Sequence, residues 1–167
     1  MAPDTIQKVP RCQNLLRPEA RPKAARIMAR QKRILCIDDH WSGLIGRKML
    51  LEQNGYEVLE ATGGSEGLKL FLSQDVDAVI LDYQMPDMNG TVVAARMKKA
   101  RSKVPIILLS AYGSIPKRKL QSIDKFVSKS ESPDAFLSTV DDVLTAHSKP
   151  FFYRWLDGWK RRNATAG

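Results

Sequence analysis

Ala78-Val79-Ile80-Leu81 is a short, unbroken apolar run, and it ends on an acid, Asp82. Runs of this kind, without polar alternation, belong to strands buried on both faces of a parallel sheet. Pro86 and Gly90 follow within eight residues, so the strand must stop there and the chain must turn. An aspartate at such a point stands at the carboxyl edge of the sheet, where open α/β folds bind their ligands. Read by itself, an acid there also has the lesser alternative of capping a loop.

The rest of the chain repeats this grammar. Ile34-Leu35-Cys36-Ile37 reads as a strand that runs into Asp38-Asp39-His40. Leu44, Ile45, Met49 and Leu50 then fall at helical spacing, and Asn54-Gly55 closes that helix. Residues 56–61 are strand-like, and Gly63-Gly64-Ser65 opens a second helix carrying Leu68, Leu70, Phe71 and Leu72. A third helix is predicted over 91–99, with Val92, Val93 and Met97 as its apolar members. Residues 104–110 form a fourth strand, near whose start Pro105 is tolerated. A short fifth strand covers 125–129. Ser132-Pro133 supplies an N-cap and a first-turn proline for a last helix. Phe136, Leu137, Val140, Val143 and Leu144 lie along one face of it. Strand alternating with helix five times predicts an α/β fold, a doubly wound five-stranded parallel sheet covered on both sides.

Charge divides the 167-residue chain further. The net +9 resides in the ends, with nine Lys and Arg against two acids in 1–33 and five against one in 149–167. The stretch between them is slightly acidic. The expected organisation is a basic, disordered extension over 1–31, one domain over 32–148, and a basic aromatic tail over 149–167. Two cysteines, Cys12 and Cys36, make neither a disulfide framework nor a metal cluster, and Cys36 reads as a small core residue. No apolar run approaches the roughly 20 residues that span a bilayer, and the N-terminus lacks the apolar segment of a signal peptide. The expected location is the cytoplasm.

Two strands end in carboxylates, Asp38-Asp39 and Asp82. If those strands are neighbours, three like charges crowd one crevice and each raises the others' pKa unless a cation intervenes. Mg²⁺ suits a site of a few carboxylates, waters and a phosphate. Ser110 and Lys129 end the fourth and fifth strands on the same edge, a hydroxyl and an ammonium fitted to the oxygens of a phosphoryl group in transfer. Asp82 is then a nucleophile able to become an acyl phosphate.

These five positions, with Met85-Pro86 and Gly90 behind Asp82 and Ala111 behind Ser110, resemble the response-regulator receiver domain, the CheY-like family with a flavodoxin-like sheet. The resemblance covers residues 33–147 and implies the strand order 2-1-3-4-5. It implies that Asp82 is the phosphoacceptor and that Asp38, Asp39, Asp82 and the backbone carbonyl of Gln84 hold Mg²⁺. Lys129 and Ser110 then bind the phosphoryl group, Ser110 and Phe126 form the switch pair, and Gln84 and Tyr112 tune phosphate lifetime. The implied function is a stand-alone phosphoacceptor module of a two-component phosphorelay rather than an enzyme. Its expected partners are a histidine kinase or histidine phosphotransfer protein and a downstream protein target.

The chain departs from the family in two places. Lys129 is followed by Ser130 where the family has proline with a cis bond, and cis before a non-proline costs about 3 kcal/mol. The loop past Lys129 is therefore expected to run differently. Few residues separate Ser110 from Lys129, which leaves a short fourth helix, predicted over 116–121, on the face most receivers use for output. Two other functions compete with this one. A phosphohydrolase resembling the haloacid dehalogenases would carry Asp-x-Asp at its nucleophile, but Gln84 stands in the second position. A nucleic-acid or membrane binder would act through the basic ends, unspecifically, since no recognition fold is present and no aromatics punctuate the N-terminal stretch. Phe151, Phe152, Trp155, Leu156 and Trp159 form one face of a tail helix. That stripe either packs back on the domain or docks a partner or an anionic membrane through 150–162.

Overall fold

Strands and helices alternate along the chain in the computed structural model, which describes residues 30–111 and 115–148. Tyr112, the N-terminal extension through residue 29 and the tail from 149 lie outside the described residues. The chain divides into two units, Met1–Arg30 and Gln31–Gly167, and every strand and helix described belongs to the second. The elements are β1 (Arg33–Ile37), α1 (Trp41–Gln53), β2 (Glu57–Ala61), α2 (Gly64–Ser73), β3 (Ala78–Asp82), α3 (Gly90–Ala100), β4 (Ile106–Ser110), β5 (Lys125–Ser128) and α4 (Pro133–Ser148). All five strands are parallel and lie in the order β2-β1-β3-β4-β5. The predicted doubly wound sheet and its order are both present.

Side chains alternate across this sheet, and each face has its own core. Ile34, Cys36, Ile80, Ile107 and Val127 point to the side covered by α1 and α4, where they meet Leu44, Leu51, Phe136, Val140 and Val143. Leu35, Ile37, Val79, Leu81 and Leu108 point to the side of α2 and α3, against Phe71, Val93, Ala94 and Met97. Double burial explains why β1, β3 and β4 read as continuous apolar runs. Cys36 is fully buried in β1.

Some expected helix faces shift. The buried residues of α1 are Leu44 and Leu51, two turns apart, whereas Met49 is 55% exposed. Met49 lies about 140° round the helix from Leu44, so Leu44 and Leu51, not Met49, define the inward stripe. Leu72 and Val92 also face outward, and Ala94 takes the inward place beside Val93. Gly55, just past α1, adopts φ 84°, a left-handed conformation that glycine takes without a Cβ penalty.

The segment between β4 and β5 corrects the expected helix over 116–121. It holds a single 3₁₀ turn, Lys117–Lys119, and no α-helix among the described residues. Pro116 stands extended at its head. Lys119, Leu120 and Ile123 each donate to the carbonyl three residues back, so the chain advances in tight turns. Ile115, Leu120 and Ile123 meanwhile pack on the core under α2 and α3. The Lys129–Ser130 bond is trans, like every peptide bond among the described residues. The loop there is tied by hydroxyls, with Ser128 Oγ 2.8 Å from Ser130 Oγ and 3.3 Å from the Ser130 N–H that donates to it.

Candidate functional site

Register brings the chemistry-bearing residues together. Ile37 of β1 pairs with Leu81 of β3, so the next residue of each strand, Asp38 and Asp82, emerges side by side. Asp38, Asp82 and Ser110 are 1%, 3% and 1% exposed. The Lys129 N–H donates to Ser110 O at 2.8 Å, which fixes the end of β5 beside the end of β4. From there Lys129 Nζ reaches Asp82 Oδ1 at 2.9 Å and Asp38 Oδ2 at 3.0 Å. Asp82, Tyr83, Gln84, Ser110, Ala111, Lys129 and His40 line the cleft above this pair.

Oxygen and nitrogen atoms of Asp38, Asp39, His40 and Asp82 lie within 4.8 Å of one another. Three hard carboxylates in so small a space are a donor set suited to Mg²⁺. The His40 ring is exposed, with Nδ1 3.1 Å from Asp39 Oδ1.

Opposite shifts mark the two buried acids. Burial alone would push the Asp38 carboxyl up. The His40 N–H at 2.8 Å, the Lys129 ammonium and the Arg47 guanidinium outweigh it and hold Asp38 below the usual carboxylate range. At Asp82 burial wins. Lys129 opposes it, but the charge of Asp38 adds to it, so this carboxyl lies above its ordinary value.

The loop after β3 is held at three points. The Gly90 N–H donates to Tyr83 O at 2.9 Å, and a Cβ on Gly90 would sit 2.1 Å from Asp82 O. Only glycine permits that approach. Asn89 caps α3, its Oδ1 accepting the Thr91 N–H at 3.0 Å. Asp87 reaches across to α2, where Oδ1 and Oδ2 accept the N–H groups of Gly64 (3.0 Å) and Ser65 (2.8 Å).

Of the residues singled out in the sequence, Asp38, Asp39, Asp82, Gln84, Ser110 and Lys129 meet at this edge. Phe126 does not line the cleft; it pairs in register with Leu108 and packs partly buried on the core under α2 and α3. Tyr112 lies outside the described residues. Two residues here went unread in the sequence. Arg47 of α1 forms an ion pair with Asp38, and its one sequence signal is Gly43, a glycine one turn earlier inside a helix. Asp87 serves as the cap that Gly63, at the head of α2, has no side chain to supply.

The model of the response regulator receiver domain matches residues 34–141. The transcriptional regulatory protein GlrR of Escherichia coli K12 is 33% identical over 125 residues, 73% of this chain and 28% of that protein. The chain thus spans little more than a quarter of that relative's length. A solved CheY-like receiver domain protein from Methanospirillum hungatei superposes with a TM-score of 0.68 at 28% identity, over 70% of this chain and 96% of that one. The response regulator TrrA of Thermotoga maritima, solved with Mg²⁺–BeF, superposes with a TM-score of 0.65 at 36% identity, over 68% and 99%. TrrA has also been solved in complex with the histidine kinase ThkA. On the match over 34–141 and a fold shared with both solved receivers, the chain belongs to the response regulator receiver domain family.

Proposed function

We propose that residues 32–148 are the phosphoacceptor module of a two-component phosphorelay, in which Asp82 takes a phosphoryl group from a histidine kinase or histidine phosphotransfer protein. The observation that carries this reading is the Lys129 ammonium, 2.9 Å from Asp82 Oδ1 beside a cluster that also holds Asp38 and Asp39. A carboxylate oxygen of Asp82 would be the attacking atom while Lys129 and Ser110 hold the phosphoryl oxygens. Asp38, Asp39, Asp82 and the Gln84 backbone carbonyl would hold Mg²⁺, which when bound neutralises charge on the transferring group. Ser110 and Phe126 would pass the modified state to the surface, and Gln84 and Tyr112 would set how long it lasts. A relative at 36% identity has been solved with Mg²⁺–BeF and with a histidine kinase, and that supports both the ion and the partner class. The downstream target is a protein whose binding changes with the state of Asp82.

Incubation with a small phosphodonor and Mg²⁺ tests this reading by intact-mass spectrometry. The parent should gain one phosphoryl group, and Asp82→Asn should gain none. Labelling that survives the substitution overturns the assignment. Omission of Mg²⁺ should suppress labelling of the parent.

A further inference from the structure

We propose that Arg47 is a resident counter-ion of the cleft that weakens Mg²⁺ binding by holding Asp38 against the incoming ion. This rests on the proposed role of the cleft as a Mg²⁺ site.

Arg47 rises from α1 with its side chain only 16% exposed, and its Nη2 donates to Asp38 Oδ2. The same oxygen accepts from Lys129 Nζ at 3.0 Å, and Oδ1 accepts the His40 N–H at 2.8 Å. Two cations therefore occupy one oxygen of a carboxylate that is 1% exposed. Lys129 is shared with Asp82, whereas Arg47 meets the cleft through Asp38. A divalent ion that draws on the Asp38 charge must compete with the guanidinium, and it meets that positive charge at close range. The competition cannot be relieved by deprotonation, because a guanidinium keeps its charge at any working pH.

The helix is shaped for this contact. Gly43 lies one turn before Arg47, and a Cβ there would stand 3.1 Å from Nη2 and 3.4 Å from Nη1. Glycine weakens a helix relative to alanine, yet its bare face leaves room for the guanidinium to reach the cleft. Arg47 is thus a positioning residue: it acts on the metal through Asp38.

Isothermal titration of Mg²⁺ into the full chain tests this, with parent, Arg47→Gln, Arg47→Lys and Gly43→Ala compared. Each variant is first checked for a cooperative unfolding transition. Arg47→Gln should bind Mg²⁺ about tenfold more tightly, the effect of removing one nearby positive charge. Arg47→Lys, which keeps the charge, should stay within about twofold of the parent. Gly43→Ala, whose Cβ would press on Nη2 from 3.1 Å, should loosen the hold of the guanidinium on Asp38 and shift binding in the same, tighter direction. The inference is overturned if Arg47→Gln binds no more tightly than the parent or, should that variant not fold, if Gly43→Ala binds no more tightly. If the parent and all three variants take up no Mg²⁺, the reading of the cleft as a Mg²⁺ site fails and this inference falls with it.

Discussion

Asp38 and Asp82 are both buried, yet their carboxyls shift in opposite directions. The difference lies in their partners. Asp38 has a backbone N–H and two cations, while Asp82 shares one of those cations and faces the charge of Asp38. Lys129 is therefore the residue that makes two adjacent carboxylates tolerable. Lys129→Met would leave them facing each other with less compensation, and the protein should lose about 3 kcal/mol at pH 7, the low end for breaking a buried pair, because Lys129 is about a quarter exposed. The sign follows from linkage. Without the lysine both folded carboxyl pKa values rise, that of Asp82 further above the unfolded value of about 3.9 and that of Asp38 up from its depressed position. The deficit is then full at neutral pH and shrinks as pH falls through those raised values toward the unfolded one. Urea unfolding of parent and variant at pH 7 and pH 4 checks this, and a deficit equally large at pH 4 would show that lost packing, not charge, is responsible.

Between elements, Asp87 ties the loop that follows Asp82 to the first turn of α2. Its carboxyl is held below the usual range, chiefly by the Ser65 N–H, which with the further N–H of Gly64 outweighs the opposing effect of burial. A carboxylate at a helix N-terminus satisfies orphan donors and complements the dipole. Asp87→Ala should cost about 1 kcal/mol, as cap removal does, and speed hydrogen exchange across residues 64–73. The stabilisation is present above the ordinary carboxyl pKa and is lost as pH falls through the depressed folded value. Unchanged exchange in that segment would contradict the link. This contact explains a limit of sequence reading at the element scale. Gly63 predicts the start of α2, but its cap arrives from Asp87 along a path that periodicity does not see. The segment before β5 shows the same limit, since a short helix was expected over 116–121 and the packing of Ile115, Leu120 and Ile123 accompanies successive tight turns instead.

Over the whole molecule, the apolar runs ending at Asp38, Asp82 and Ser110 made three strands and their shared edge legible, because double burial strips polar residues from a parallel sheet, while β5 showed only Phe126-Val127 before Lys129. The order β2-β1-β3-β4-β5 came from family resemblance, as alternation alone cannot rank strands. Arg47 stayed hidden because a cation inside a helix reads as a solvated face until the fold brings Asp38 to it. Cys36 carries one more consequence of the doubly covered sheet. Burial pushes its thiol up to about 12, and reagents attack the thiolate, so native Cys36 is unreactive on two counts. Its modification should require the sheet to open, and in excess maleimide its labelling rate should follow the global unfolding equilibrium as urea is raised. Mass spectrometry of the peptide carrying Cys36 reads that rate, and rapid labelling without denaturant would mean that β1 opens by itself. Maleimide trapping at Cys36 thus turns a core residue into a gauge of the fraction of molecules that are open, needing neither a dye nor a mutation.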